Sequence, residues 1–474
     1  MSTKNTSLRR RALALALSAA AMSIPAFASE RINFSSLGNR EPVDGFIVTY
    51  RAGSAVKRNA AAMQQSLDRA ASGAFGRANA VKLRHERTLG IGSELVAADR
   101  PLDSIEAETL MRQIAADADV SYIEPNARFY PTLTPNDAYY ASQYNLQSGI
   151  AGSNANLAWD TGFRGAGKIV AVIDTGYRPH VDLNANIING YDFVSNATLA
   201  NDGNGRDASA LDPGDWTSAG QCYAGSPATF STWHGTHVSG TVAAVTNNAI
   251  GVAGMAFNAE VLAVRALGRC GGTLADIADA ITWSSGGTVA GVPSVGANRA
   301  SVINMSLGGS GTCGQGSAMQ SAITGAISRG TTVVVAAGNS NADTLKFTPA
   351  SCTGGGLIVV GASDSAARKA AFSNYGVHVD VSAPGVGIAS TLNTGTTVPG
   401  ADNYMFYNGS SMAAPQVAGL VAMMHSKPSP DCVPAVCEAI VKANTKPFAP
   451  LPPPPPPLSG TGIINALQTL NATP

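Results

Sequence analysis

The chain has 474 residues, of which 45% are hydrophobic and only 13% are charged. This composition supports a large buried core and argues against a mainly disordered chain. The 31 basic and 31 acidic residues balance to a formal net charge of +0, without the basic stripe that a nucleic-acid-binding protein requires.

The first 28 residues have the pattern of an export signal. Three arginines occupy positions 9–11, residues 12–21 are apolar, and residues 26–28 read Ala-Phe-Ala, a small-x-small cleavage site. The apolar segment is too short to span a membrane, and no later segment qualifies. We therefore expect a signal peptide at residues 1–28 and a secreted, extracellular protein without a membrane span.

Residues 29–130 have the length and pattern of a small α+β domain. The pattern predicts a strand over residues 45–50, a helix over residues 105–116 and a closing strand over residues 120–125, before a proline break. The turn-rich segment 131–136 marks the boundary with the rest of the chain.

Beyond that boundary, predicted strands and helices alternate. Residues 169–173 form a short, almost fully apolar run, as expected of a strand buried on both faces. Similar strands are predicted at 261–264, 301–306, 333–337 and 358–361, with helices at 274–283 and 317–328. The alternation predicts an α/β domain over residues 131–474, with a mostly parallel central sheet between two layers of helices. We interpret the proline run 452–457 as an exposed loop of this domain.

All six cysteines lie in this second part of the chain: Cys222, Cys270, Cys313, Cys352, Cys432 and Cys437. An even number in an exported chain predicts disulfides rather than a metal site, and six cysteines allow 15 pairings. We expect sequential pairing, because Cys432 and Cys437 are near enough to close a small loop.

Four short segments contain the side chains of an acyl-transfer site. Asp174 ends the apolar strand 169–173, His234 and His237 begin a helix of small residues, Asn339 follows a later strand, and Ser411 begins an apolar helix. Each has an ordinary structural explanation, as a turn residue, a structural histidine pair or a helix cap. In the order Asp, His, Asn, Ser, however, they supply the carboxylate, imidazole, amide donor and hydroxyl of a site built around an activated serine.

Three other interpretations fit these residues less well. An aspartic protease needs two carboxylates that share a proton, and the Asp-Thr-Gly at 174–176 has no second copy. A zinc helix with two histidines usually carries a glutamate beside them, and none is present. The glycine-rich segment 162–168 approaches a phosphate-binding loop, but it precedes a strand and lacks the final Ser or Thr.

Together these motifs resemble the subtilisin-like serine proteases, the subtilase family, of the secreted bacterial type. The similarity runs from about residue 136 to 466 and rests on residues 174–176, 234–238, 304–309, 337–339, 372–376, 382–385 and 411–415. The resemblance implies a subtilisin-like three-layer α/β fold and a secreted serine endopeptidase. Residues 29–130 resemble the inhibitory propeptide of an autoprocessing precursor, which would act as an inhibitor and folding aid.

The resemblance also implies roles for the four site residues. Ser411 would be the nucleophile, His234 rather than His237 its general base, and Asp174 the carboxylate that orients His234. Asn339 and the Ser411 N–H would form the oxyanion hole. The substrate backbone would pair with Ser306, Leu307 and Gly308 on one side and lie against Gly272 on the other.

One or more structural Ca²⁺ ions are implied by the same resemblance, in a set of oxygen ligands at Gln143, Asp182, Val245, Asn248, Ile250 and Val252. The acidic segment 202–215 is a candidate for a second ion. We expect protein or peptide substrates and a monomeric enzyme. The alternative from another class is a catalytically silent subtilisin-like binding protein, which would lack a triad or oxyanion residue, and none is missing.

Overall fold

The structure, a computed structural model, describes residues 31–34, 37, 42–74, 81–128, 133–428, 432–449 and 458–474. The predicted signal peptide at 1–28 and the proline run 452–457 lie outside the described residues. The chain divides into two compact units, residues 1–129 and 130–474. No helix in the described ranges has both the length and the apolar character that a membrane crossing needs.

The N-terminal unit is an antiparallel four-stranded sheet with the strand order β2-β3-β1-β4. Its elements are β1 (Val43–Tyr50), α1 (Ala55–Arg58), α2 (Ala60–Ala74), β2 (Leu83–Thr88), β3 (Glu94–Leu102), α3 (Ser104–Ala115) and β4 (Val120–Pro125). A capping box begins α3, because the Asp103 carboxylate accepts from the Glu106 N–H while the Glu106 side chain accepts from the Asp103 N–H. The unit has its own hydrophobic core, with Phe46, Val96 and Met111 fully buried.

The C-terminal unit contains the remaining helices and strands. Its helices are α4 (Ala155–Trp159), α5 (Ala197–Ala200), α6 (His234–Ala243), α7 (Leu274–Ser284), α8 (Ala318–Ser328), α9 (Ser410–His425), α10 (Pro434–Ala443) and α11 (Ala466–Ala472). Its strands are β5 (Ile169–Asp174), β6 (Ile187–Asp192), β7 (Glu260–Arg265), β8 (Val302–Met305), β9 (Gly309–Ser310), β10 (Thr332–Ala336), β11 (Phe347–Thr348), β12 (Leu357–Ser363), β13 (Val381–Pro384), β14 (Ile388–Asn393), β15 (Asp402–Tyr407), β16 (Thr445–Lys446) and β17 (Ile463–Ile464).

Nine of these strands form a central sheet in the order β16-β17-β13-β12-β10-β8-β5-β7-β6. Every neighbouring pair is parallel except β16 with β17. Strand β5 alternates between two cores, with Val172 in the cluster that contains α6 and α9 and Ile173 in the cluster that contains α7 and α8. The predicted three-layer fold with a mostly parallel sheet is therefore confirmed.

Three disulfides in the described part of this unit join Cys222 to Cys270, Cys313 to Cys352 and Cys432 to Cys437. The sequence pattern did not predict the antiparallel hairpin β14–β15, which leads directly into α9. The predicted strand 301–306 ends at Met305, so Ser306 already belongs to the loop beyond the sheet edge.

Candidate active site

The carboxylate of Asp174 and the imidazole of His234 form a direct pair. Asp174 is the last residue of β5 and is fully buried, while His234 is the first residue of α6 and keeps 22% of its side chain exposed. The His234 Nδ1 lies 2.8 Å from Oδ1 and 2.9 Å from Oδ2 of Asp174. Since a carboxylate only accepts, Nδ1 carries the proton and Nε2 is left to accept one.

The electrostatic environment favours the protonated form of His234. Desolvation lowers the pKa of His234, but the charge and hydrogen bond of Asp174 raise it, as do the nearby charges of Asp215 and Asp212. The net result is a pKa above the ordinary histidine value. A base that is stabilised in this way after it takes a proton suits general acid–base chemistry near neutral pH.

His237 has the opposite environment. It is fully buried, and burial, the largest cause, lowers its pKa to about 3. Its Nε2 lies 3.1 Å from the carbonyl oxygens of Ile388 and Met405, and its ring stacks on Tyr407. A neutral, buried imidazole that donates to two carbonyls of the β14–β15 hairpin is a packing residue.

The backbone before His234 is anchored from two sides. Trp233 adopts a left-handed conformation, with φ of +48°, and its indole N–H donates to the Gly395 carbonyl at 2.6 Å. Thr232 donates its N–H and its hydroxyl to the Asp215 carboxylate, at 2.6 and 2.8 Å. A bulky residue rarely occupies this backbone region unless its surroundings hold it there. The sequence offered no signal for these contacts, because their partners lie far along the chain.

Ser411 is the second residue of α9, in the first turn, where backbone N–H groups have no partner within the helix. Its hydroxyl donates to the Ser306 carbonyl at 3.2 Å, and the Ser306 hydroxyl donates to the Ser411 carbonyl at 2.8 Å. Between these described residues the structure has no hydrogen bond from Ser411 to His234, although their helices α9 and α6 pack together.

Two hydrogen-bond donors converge beside Ser411. The Asn339 Oδ1 accepts from the N–H and the hydroxyl of Ser410, at 2.8 and 2.9 Å, so its Nδ2 faces away from Ser410. This Nδ2 and the Ser411 N lie 3.4 and 3.5 Å from the point that a β-carbon on Gly409 would occupy. Glycine at position 409 keeps that space open, and an oxygen held there meets two N–H donors.

The residues predicted to contact substrate lie at the ends of strands. Ser306 is buried, Leu307 is half-buried and Gly308 is exposed, directly beyond β8. Gly272 is exposed, and a β-carbon there would overlap the Ala266 carbonyl oxygen. A cleft of about 340 Å³ lies between Asp215 and residues 267–271, and the Cys222–Cys270 disulfide forms part of its wall.

The residues predicted to bind calcium surround one buried carboxylate. Asp182 is fully buried, and burial raises its pKa to about 6. Its Oδ1 accepts from Asn248 Nδ2 at 2.7 Å and its Oδ2 from the Val252 N–H at 2.8 Å. The buried Gln143 exchanges both of its amide hydrogen bonds with the backbone of Ala253.

The same loop presents unpaired carbonyl groups. In the described part of the chain, the carbonyl oxygens of Val245, Ile250 and Val252 accept no hydrogen bond. A β-carbon at Gly251 would overlap the Asp182 carboxylate, so only glycine lets the loop wrap this closely. Carbonyl, amide and carboxylate oxygens around one buried charge fit Ca²⁺. The described residues contain no group of three or more His, Cys, Asp or Glu side chains that could hold a metal, so neutral oxygens would supply most ligands.

In the acidic segment that was a candidate for a second ion, the Asp202 carboxylate contacts a guanidinium group. Arg265 is buried and contacts the carboxylates of Asp192 and Asp202. Arg206 pairs with Asp276 and Asp279, at 2.6 and 2.7 Å. The other carboxylates of the segment have neutral partners: Asp207 accepts from Asn204, Asp212 from Thr175 and Asp215 from Thr232.

Comparison with known proteins agrees with this geometry. The model of the subtilase family matches residues 165–449. The extracellular protease of Xanthomonas campestris pv. campestris is 51% identical over 460 residues, which cover 97% of this chain and 78% of that protein. The extracellular basic protease of Dichelobacter nodosus is 45% identical over 345 residues, 72% of this chain and 56% of that protein.

A solved protease from Pseudoalteromonas arctica superposes with a TM-score of 0.68 at 47% identity, over 72% of this chain and all of that one. The family match covers more than half of the 474 residues, and the Xanthomonas relative extends it over nearly the whole chain. The chain therefore belongs to the subtilase family, whose members are serine endopeptidases.

Proposed function

We propose that this protein is a secreted endopeptidase that hydrolyses peptide bonds through an acyl-enzyme on Ser411. The observation that carries the proposal is the buried Asp174–His234 pair beside a helix start where Ser411 and the Asn339 amide converge. These positions support the proposal of a base, a nucleophile and two oxyanion donors in one site.

The reaction follows from these positions. The Ser411 hydroxyl turns from the Ser306 carbonyl toward His234 Nε2, which takes its proton as Oγ attacks the substrate carbonyl carbon. Asn339 Nδ2 and the Ser411 N–H stabilise the negative oxygen that develops. His234 then gives the proton to the leaving amine, and water, deprotonated by His234, cleaves the acyl-enzyme. Throughout, Asp174 keeps His234 in one tautomer.

Two backbone segments would hold the substrate. The exposed Gly308 and the half-buried Leu307 lie where a peptide can add as a strand beside Ser306. Position 272 requires glycine, because a β-carbon there would overlap the Ala266 carbonyl oxygen, and the exposed backbone of Gly272 can lie against a peptide. We propose these four residues as the substrate-binding segments.

The proposal is tested by labelling with a fluorophosphonate probe, which reacts only with an activated serine. We expect the purified protein to be labelled at Ser411, as found by peptide mass analysis. A folded protein that leaves the probe unreacted would instead be the catalytically silent binding protein.

The charge of Asp215 should influence the pH profile. Asp215→Asn removes a negative charge that raises the pKa of His234. Because only neutral His234 can accept the proton, the acid limb of kcat/KM should then move to lower pH. The measurement is kcat/KM for a peptide substrate from pH 4 to 9. Asp279→Asn, which lies in the ion pair with Arg206, is the matched control and should leave the limb in place. If the acid limb of Asp215→Asn stays in place or moves to higher pH, the assignment of His234 as the general base is wrong.

We also propose that the chain is made as a precursor, with a signal peptide at 1–28 and an inhibitory propeptide at 29–130. The support is that the N-terminal unit folds around its own core and that the two relatives above are named extracellular. N-terminal sequencing of the secreted form tests this proposal, and we expect a new terminus near residue 130.

We propose a structural Ca²⁺ held by Asp182, Asn248, Gln143 and the loop carbonyls. The ion would supply the positive charge that the buried carboxylate lacks and would fix the loop after α6.

Removal of calcium should therefore destabilise the enzyme. At a 100-fold excess over the dissociation constant, the ion contributes about 2.7 kcal/mol, so a chelator should lower Tm by about 5–10 °C. The measurement is thermal melting with and without chelator. Asp182→Asn should abolish the difference in Tm between samples with and without chelator. An equal chelator effect in wild type and Asp182→Asn would show that the calcium site is not in this loop.

A further inference from the structure

The loop that carries Asn339 is not fixed by its own burial. Residues 337–342, which we call the oxyanion loop, follow β10, and Asn339 itself is exposed. An oxyanion donor must lie within about 0.5 Å of its productive position, so an exposed loop needs external support. The two hydrogen bonds from Ser410 orient the Asn339 side chain, and the Ser410 hydroxyl also accepts from the Gly338 N–H at 3.0 Å, which holds the backbone on one side of Asn339 but not on the other.

That support comes from Asn374, in the segment 372–376. Asn374 is fully buried, and its side chain spans the oxyanion loop. Its Nδ2 donates to the Ala337 carbonyl at 2.9 Å, and its Oδ1 accepts from the N–H groups of Ser340 and Ala342, at 2.9 and 3.1 Å. One amide thus fixes the backbone before and after Asn339.

The backbone of Asn374 adds a fourth bond, because its N–H donates to the Gly338 carbonyl at 2.9 Å. Gly338 has a φ of +102°, and a β-carbon there would overlap the Asn374 amide. Glycine at position 338 is therefore required both for the turn and for the close approach of Asn374. Gly338, next to the proposed oxyanion donor, thus leaves room for the side-chain amide of Asn374.

The segment that carries Asn374 is itself anchored to the central sheet. The neighbouring Ser373 hydroxyl accepts from the N–H of Ala362 in β12, at 2.9 Å. Lys369 donates from Nζ to the Ser373 carbonyl at 2.8 Å and to Asn341 Oδ1 at 2.9 Å, which adds a side-chain link between the two segments. These hydrogen bonds thus fix the oxyanion loop relative to the buried strand β12.

We propose that Asn374 is a positioning residue for the oxyanion hole: it acts through Asn339 and does not touch the substrate. This inference rests on the proposed role of Asn339 as an oxyanion donor. Its energetic basis is that a displacement of about 1 Å at a reacting group costs about 10²-fold in rate. The loss falls on kcat, because the donor acts in the transition state and not in ground-state binding.

The first experiment replaces Asn374 by serine, whose side chain is too short to reach both sides of the loop. We expect Asn374→Ser to lower kcat for a peptide substrate by about 10–100-fold and to change KM by less than about threefold. A merely structural role would lower the melting temperature without this division between kcat and KM. Unchanged kcat in folded Asn374→Ser overturns the inference.

The second experiment is a double-mutant cycle with Asn339→Leu, which alone should lower kcat by about 10²–10³-fold. If Asn374 acts through Asn339, adding Asn374→Ser to Asn339→Leu lowers kcat no further. If the two losses multiply, the inference is wrong while the proposed function stands. If Asn339→Leu keeps the wild-type kcat, the proposed oxyanion role is wrong, and the inference falls with it.

Two further variants complete the test. Asn186→Ser is the matched control, because Asn186 donates to the carbonyls of Ala243 and Phe257 away from the site. It should lower stability and leave kcat unchanged. If Asn374→Ser does not fold, Lys369→Met removes the hydrogen bonds of Lys369 and leaves Asn374 in place. We then expect a smaller loss of kcat that disappears in the Asn339→Leu background. If Lys369→Met keeps the wild-type kcat, the inference is wrong.

Discussion

Ser411→Ala should lower kcat for a peptide substrate by about 10⁶-fold, which is the loss known for subtilisin, a member of the same family. The physical reason is that alanine leaves no atom able to form the acyl-enzyme, while the oxyanion donors and His234 stay in place. We expect KM to change little, because the hydroxyl contributes only to the reacting groups. The measurement is steady-state hydrolysis of a chromogenic peptide.

The precursor allows a second measurement on the same variant. If processing is autocatalytic, Ser411→Ala should accumulate at full length while the wild type is shortened. The kinetic comparison needs the same mature form of every variant. A cleavage site for another protease is therefore placed within residues 129–132, and that protease is used to mature the wild type and all variants. Ser284→Ala is the control: this buried helix serine donates only to the Ala280 carbonyl and should keep full activity. Near-normal hydrolysis by matured Ser411→Ala would contradict the mechanism.

His234→Ala should cost about as much, roughly 10⁶-fold in kcat, because the serine hydroxyl is a poor nucleophile unless a base takes its proton. The two residues act as one unit, so the variant with both substitutions should be no slower than either single variant. A loss that multiplied in the double variant would mean that they act independently.

His237 provides a contrast on the same helix. His237→Gln should lower the melting temperature, since it disturbs the contacts with Ile388, Met405 and Tyr407. It should change kcat by less than about tenfold, because His237 is buried and does not take part in proton transfer. If His237→Gln lost as much kcat as His234→Ala, the choice between the two histidines would be wrong.

The fold could be predicted from local patterns. The apolar run at 169–173 and its repeats predict buried parallel strands, and the structure has them as β5, β7, β8, β10 and β12. The helices at 274–284 and 318–328 also lie where the apolar spacing predicts them, to within one residue. The hairpin β14–β15 was missed, because β14 is buried but mixes apolar and polar residues and β15 is half-exposed, so neither strand has a comparable signal.

The chemical identity of the site was also present in the sequence, as the order of an aspartate, a histidine, an asparagine and a serine. Within the segments, however, spacing could not choose between His234 and His237 or between Ser410 and Ser411. Resemblance to the family made those choices. The structure gives these proposed choices physical support: His237 is buried beneath the hairpin, and the Ser410 hydroxyl donates to Asn339.

The sequence by itself thus determined the family, the layered architecture and the side chains proposed to catalyse, because short motifs and apolar periodicity are local properties. Only the tertiary structure decided which of 15 cysteine pairings forms and how Asn374 reaches the oxyanion loop. It also decided how Gly395 holds Trp233 and how Asp215 holds Thr232, just before the helix that begins at His234. These contacts join residues far apart in the chain, and their strength depends on a burial that exists only once the layers have packed.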